Sequence, residues 1–337
     1  MPELPSAGPA CHSLRTRRKN AHRKHPGVSR PRLFHGIAPA AGCLAAAAAV
    51  VLAGPAISRA TASPATASPA HQPRSIAARA AELANAITGK QLWGRRQYSQ
   101  RPIASITKVM TALVVVRSGH LNRHIAITAA DERYARDHDA TSAGLHPGDV
   151  LTARQLLYAM LLPSGADAAL ALANSFGPGW RAFVRKMNAT ARKLRLVGTH
   201  FTNFDGLPST DVSTPRNLLL LGEAAMRRPV IATVVKHRRH LLTGTPRHHR
   251  YLWLNTNLLL GHYPGAIGIK TGWTMAAGEC LLFEATHGQR TLIGVVLDSA
   301  PTKTGAVFSD AARLLNWGFG AHHAVTVPRP PAGVPAE

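Results

Sequence analysis

The chain of 337 residues is short of three things: it has 3 Cys, 16 Asp+Glu against 40 Lys+Arg, and 5% aromatic residues. Each scarcity excludes something. Cys11 and Cys43 fall in a basic and an apolar N-terminal segment, which leaves Cys280 alone beyond them. One thiol closes no internal disulfide, so the folded part is held by its core. With few aromatics and no nucleic-acid motif there is no platform for stacking bases, so the formal net charge of +24 is not read as a nucleic-acid surface. The shortage of acids leaves the His/Arg-rich "KHRRHLLTGTPRHHRYLW" (236–253) without carboxylate or thiol partners. Its ligand spacing is poor, so it reads as a solvated basic loop rather than a zinc site. Long repeats are also absent.

What is present divides the chain. Residues 1–36 carry eight Lys/Arg and one acid, and an uncharged run of small and apolar residues, 37–58, follows. A basic flank before an apolar run reads as an export signal, either cleaved or retained as a membrane anchor. The flank is long for a signal, so translation is expected to start later, for instance at Val28. Residues 59–76 form a Pro/Ser/Thr/Ala-rich linker that cannot build a core. A folded domain is expected over 77–320, followed by a Pro-rich tail, 321–337.

Within the folded part, Thr152 and Gln155 have capping-box spacing at the head of an apolar-faced helix. Thr214 and Pro215 mark the N-cap and first position of another helix. Phe308, Ala312 and Leu315 share the face of a third. Strand-like runs come late, at 265–272, 280–286 and 291–298, and "HGQR" joins the last two as a hairpin. A helical middle, antiparallel strands and a closing helix point to an α+β fold.

The chemistry centres on "PIASITKVMTALVVV" (102–116), where Ser105 and Lys108 stand three apart. On a helix these lie on one face, with Cβ atoms about 5–6 Å apart. A lysine buried among Val109, Met110, Leu113 and Val114 is driven toward its neutral amine, which can take a serine proton. Alone, Ser-x-x-Lys means little, since it arises about once by chance in a chain of this length. Two later features add to it. Ser164 follows Pro163 on a turn between two apolar helical stretches. Lys270-Thr271-Gly272 lies in a strand-like run, where a lysine and a threonine hydroxyl on an edge can grip a carboxylate. Gly272 there lets another backbone approach closely.

Serine with lysine, a second serine, then Lys-Thr-Gly is the signature order of penicillin-recognising serine enzymes. The chain resembles the serine-type D-alanyl-D-alanine carboxypeptidases, the low-molecular-mass penicillin-binding proteins. The likeness extends to "LHPGDVLTARQLLYAMLLPSGADAALALA", "HFTNFDGLPSTDVST" and "LNTNLLLGHYPGAIGIKTGWTMAAGECLLFEA". The resemblance implies a β-lactamase/transpeptidase-like fold, with an antiparallel sheet flanked by helices and an all-helical subdomain. It implies that Ser105 is acylated, Lys108 is its base and Ser164 relays protons. Lys270 and Thr271 would hold the substrate carboxylate, Gly272 and Trp273 would also belong to the substrate-binding site, and the backbone N–H groups of Ser105 and Trp273 would form an oxyanion hole. No metal or cofactor is implied. The implied partners are peptidoglycan stem peptides, with β-lactams as inhibitors. Outside the cell, anionic wall polymers suit the basic surface. The family often adds a further β-domain and a C-terminal anchor; neither is expected here, so attachment would fall to residues 37–57.

One position departs from the pattern. The family's middle motif ends in Asn, and this chain has Ala166 there, with no side-chain donor or acceptor. Asp167 is next door but lies about a quarter-turn away on a helix. Three readings stay open: a carboxypeptidase, a wall-peptide or penicillin-binding protein with little turnover, and a β-lactamase. The last usually needs a dedicated deacylating carboxylate, for which only Asp205 and Asp211 offer themselves.

Overall fold

A computed structural model describes residues 72–321. The expected segments 1–36 and 37–58, most of the linker and most of the tail lie outside the described residues.

In chain order the elements are β1 (Ala80–Asn85), β2 (Gln91–Arg95), β3 (Arg101–Pro102), α1 (Thr107–Ser118), β4 (His124–Ala126) and α2 (Ala129–Asp137). Then come β5 (Val150–Thr152), α3 (Ala153–Leu161), α4 (Ala166–Phe176), α5 (Trp180–Lys193), β6 (Val212–Ser213), α6 (Pro215–Met226) and α7 (Pro229–Lys236). The chain closes with β7 (Arg239–Leu242), β8 (Tyr251–Leu254), β9 (Ala266–Thr274), β10 (Gly278–His287), β11 (Arg290–Leu297) and α8 (Ala306–Phe319).

The sheet runs β2-β1-β11-β10-β9, antiparallel at every pairing. Side chains alternate across it, so its two faces carry different cores. One face turns Ala80, Ala84, Leu282, Ile293 and Val295 toward the helices from α1 to α7. The other packs Leu83, Leu281, Phe283 and Val296 against Val307, Phe308, Ala311 and Leu315 of α8. Phe283 is fully buried, so truncating it to alanine costs about 3–5 kcal/mol. This is the expected α+β arrangement of a sheet between a closing helix and a helical region.

The helix starts follow their cap residues. At α3 the Gln155 N–H donates to Thr152 Oγ1 at 3.2 Å, and the Thr152 N–H donates back to Gln155 Oε1 at 2.7 Å. Thr214 caps α6 with Pro215 behind it. Folded structure begins near Ile76, where Asp310 of α8 accepts the N–H groups of Ala77 and Ala78 at 2.9 and 2.7 Å. The reading of 236–253 as a loop is corrected: Arg239–Leu242 and Tyr251–Leu254 pair as a hairpin, with His240 opposite Trp253 and Leu241 opposite Leu252. Alternating burial of Tyr251, Leu252, Trp253 and Leu254 is what makes that segment a strand.

Candidate active site

Ser105 does not open α1. It sits in a one-turn 3-10 helix, Ala104–Ile106, that leads into α1. Lys108 is then one turn along, and its Nζ lies 2.8 Å from Ser105 Oγ. Both side chains are buried, at 3% and 2% exposure. The same Nζ donates to the Asp205 carbonyl at 3.1 Å. A buried amine held between a hydroxyl and a carbonyl is the geometry a serine-activating base requires.

The loop that supplies this carbonyl is a run of side-chain-to-backbone turns. Asn203 Oδ1 accepts from the Asp205 N–H at 2.8 Å, and Asp205 Oδ1 accepts from the Leu207 N–H at 3.1 Å. Gly206 has φ +91°, and a Cβ there would lie 1.9 Å from the Ala104 carbonyl oxygen. Only glycine lets the loop close on the Ser105 turn. The Asp205 carboxyl is fully buried. Burial pushes its pKa above the usual carboxylate range, opposed by the Lys108 charge, the Leu207 N–H and the Tyr134 hydroxyl.

β9 is the sheet edge that faces this turn. A Cβ on Gly272 would meet Ala104 Cβ, the Ile103 oxygen and the Ser105 nitrogen, each at 3.0 Å. The glycine therefore sets how closely Lys270-Thr271-Gly272 approaches the Ser105 turn. Lys270 is buried, and its Nζ donates to the Thr271 carbonyl at 3.1 Å, with Thr271 Oγ1 at 3.4 Å. Thr271 Oγ1 lies 2.6 Å from Thr256 Oγ1. The Trp273 indole donates to the Pro301 carbonyl at 3.2 Å and carries the Lys303 ammonium 4.9 Å above its ring centroid.

Ser164 lies between α3 and α4. It is fully buried, its backbone is left-handed at φ +75°, and its Oγ has no hydrogen-bond partner among the described residues. A non-glycine residue in that region costs about 1–3 kcal/mol, and such outliers cluster at working sites. Ala104, beside Ser105, is a second, at φ +46°. Thr256 ties this corner to β9, because its N–H donates to the Leu162 carbonyl at 3.1 Å while its hydroxyl meets Thr271.

Ala166, the departing position, is fully buried, and its N–H donates to the Thr141 carbonyl at 2.8 Å. Asp167 does not stand in for the missing amide. Its oxygens accept from Ser142 Oγ at 2.7 Å and from the N–H groups of Ala143, at 2.9 Å, and Leu145, at 3.2 Å. It holds the 142–145 loop instead.

The family profile described as D-alanyl-D-alanine carboxypeptidase, peptidase S11, matches residues 66–301. The chain belongs to the D-alanyl-D-alanine carboxypeptidase family. It is 40% identical over 288 residues to a D-alanyl-D-alanine carboxypeptidase of Streptomyces sp. strain K15, covering 81% of this chain and 98% of that one. It is 36% identical to D-alanyl-D-alanine carboxypeptidase DacB2 of Mycobacterium tuberculosis, covering 73% of this chain and 83% of that one. Among solved structures, that of the Streptomyces K15 DD-transpeptidase superposes with a TM-score of 0.69 at 40% identity, covering 73% of this chain and 98% of that chain. As a carboxypeptidase-family chain it keeps Ser105 and Lys108 in hydrogen-bond contact. Sequence reading missed Gly206, Thr256 and the Asp205 carbonyl; the Asn-x-Asp-Gly pattern of turn residues was the available signal for the loop.

Proposed function

We propose that this D-alanyl-D-alanine carboxypeptidase works through Ser105, with Lys108 as base, Ser164 as proton relay and Lys270, Thr271, Gly272 and Trp273 as the substrate cradle. The family acts on peptidoglycan stem peptides outside the cytoplasm and is a target of β-lactams. The observation that carries the assignment is the buried 2.8 Å contact between Lys108 Nζ and Ser105 Oγ.

The neutral Lys108 amine takes the hydroxyl proton as Ser105 Oγ attacks the carbonyl between the two D-Ala residues. Negative charge builds on the carbonyl oxygen, where the N–H groups of Ser105 and Trp273 receive it; losing one such donor costs about 10²–10³ in rate. The C–N bond breaks, the departing D-Ala amine takes a proton through Ser164, and the peptide remains as an ester on Ser105. Water then attacks that ester, Lys108 again removing a proton, and the stem peptide leaves one residue shorter. Lys270 and the Thr271 hydroxyl hold the terminal carboxylate. The exposed cations meet anionic wall polymers, and the apolar run 37–58 directs export.

Ala166 favours a second reading, an enzyme that acylates and releases slowly. Asp167 is committed to the 142–145 loop and does not restore the missing amide. Both readings are tested on the full chain by fluorescent-penicillin labelling and by D-Ala release from a pentapeptide. We expect labelling that disappears in Ser105→Ala and a D-Ala release rate that rises in Ala166→Asn. Labelling that survives Ser105→Ala removes the assignment. Labelling without any D-Ala release selects the binding-protein reading, and rapid loss of the label selects a β-lactamase.

A further inference from the structure

The β7–β8 hairpin has two unlike faces. Its inner face is anchored: His240 stacks on Tyr158 with centroids 3.8 Å apart, Tyr251 stacks on Trp253 at 5.2 Å, and the Trp253 indole donates to the Ala143 carbonyl at 2.9 Å. Its outer face has nothing over it among the described residues. Leu241, Leu252 and Leu254 are 50%, 55% and 60% exposed. Register places Leu241 directly opposite Leu252 and Arg239 opposite Leu254, so the three leucines and the arginine form one outward ladder. The other exposed large apolar side chains, Ile87, Tyr98, Val197 and Met275, each stand singly on turns.

Arg239 stands on the leucine ladder itself, and further cations flank the leucines in sequence. Lys236, Arg238, Arg239, Arg247 and Arg250 are all exposed, and the sequence from Ala224 to Gly278 contains no Asp or Glu. Among the described residues the one carboxylate bonded to the hairpin, Asp149, is buried and meets His249 and the inward Tyr251; exposed leucines flanked by exposed cations suit a surface that offers hydrocarbon beneath negative charge. A soluble anionic polymer would engage the arginines and leave the leucines in water.

We propose that the outer face of the β7–β8 hairpin docks on an anionic lipid bilayer, with Leu241, Leu252 and Leu254 entering the boundary between headgroups and acyl chains. The cations, Arg239 and Arg250 foremost, engage the headgroup phosphates. The hairpin leads into Thr256, whose hydroxyl meets Thr271, so docking fixes the height of the cleft above the bilayer.

The test uses the full chain with Cys11 and Cys43 changed to Ser; Cys280 is buried and does not compete for label. An environment-sensitive fluorophore is attached at Leu252→Cys or, as a control, at the exposed Val197→Cys. Each protein is titrated with phosphatidylglycerol/phosphatidylcholine vesicles, with pure phosphatidylcholine vesicles and with soluble poly(glycerol phosphate), and brominated lipids report depth. We expect a blue shift and bromolipid quenching at 252 but not at 197, with anionic vesicles only. Adding Leu241→Ser with Leu254→Ser, or Arg239→Glu with Arg250→Glu, should weaken the vesicle response at least about tenfold. Penicillin acylation, unchanged in these variants, shows that they are folded. Equal quenching at both positions, no quenching at 252, or a response to the polymer in place of the vesicles overturns the proposal.

Discussion

Carboxyl groups are buried in two regions of this enzyme under opposite conditions. In the helical region they sit where the backbone supplies donors. Asp167 gathers the Ser142 hydroxyl and the N–H groups of Ala143 and Leu145, and Asp211 gathers the N–H and hydroxyl of Thr202 and the N–H of Asn203. Between the sheet and α6 they face one another. Glu82 has one oxygen on Arg216 at 3.1 Å and the other without a partner among the described residues. Glu223 has a buried oxygen without a partner among the described residues, and Glu284 lies close enough to feel its charge. Burial, reinforced by Glu223, pushes Glu284 up to about 7. The same chemical group therefore organises a loop in one place and is crowded by its own kind in the other.

Removing a donor-rich carboxyl should have the largest effect. Asp167→Ala leaves buried N–H groups unpaired and should lower unfolding free energy by about 3–5 kcal/mol, measured by urea denaturation. A loss below about 1 kcal/mol would mean that the 142–145 loop finds other acceptors. Next is Glu284→Gln. Because the folded pKa lies above the unfolded value of 4.5, folding takes up a proton. The stability this contributes is complete below about pH 4.5 and is lost as pH rises through about 7. The loss in the native chain is on the order of 3 kcal/mol between those limits, and the variant should flatten that slope. A smaller change is expected from Glu223→Gln, which removes the repelling charge: the Glu284 midpoint in a carboxyl NMR titration should move down by up to about one unit. An unmoved midpoint would assign the shift to burial alone. Smallest of all is Asp211→Asn at pH 5. Burial raises Asp211 to about 6 despite its donors, so acid and amide are both neutral there and should differ by less than about 1 kcal/mol.

Much of the scaffold was legible because it rests on local pattern. The runs 280–286 and 291–298 became β10 and β11, Thr152 and Thr214 cap α3 and α6, and α8 spans Ala306–Phe319. Ser105 and Lys108 were legible for the same reason, since one helical turn fixes their meeting. What stayed hidden depends on partners distant in sequence. The Asp205 carbonyl is 97 residues from Lys108, and Asp310 is over 200 residues from the Ala77 and Ala78 amides it holds. Asp167 was weighed only as a substitute for an amide, because nothing local to it shows the 142–145 loop folding back. The hairpin at 236–253 was obscured by its histidines and arginines. Their charge suggests a loop, while the alternation of Leu252 and Leu254 with Tyr251 and Trp253 marks a strand.

If Ser164 is the relay proposed above, its left-handed backbone sets thermal endurance against activity. Glycine adopts φ +75° without penalty, and among the described residues Ser164 Oγ forms no hydrogen bond that glycine would forfeit. A library selected for heat resistance alone should drift toward Ser164→Gly, and the winners would be hardier proteins that no longer trim peptides.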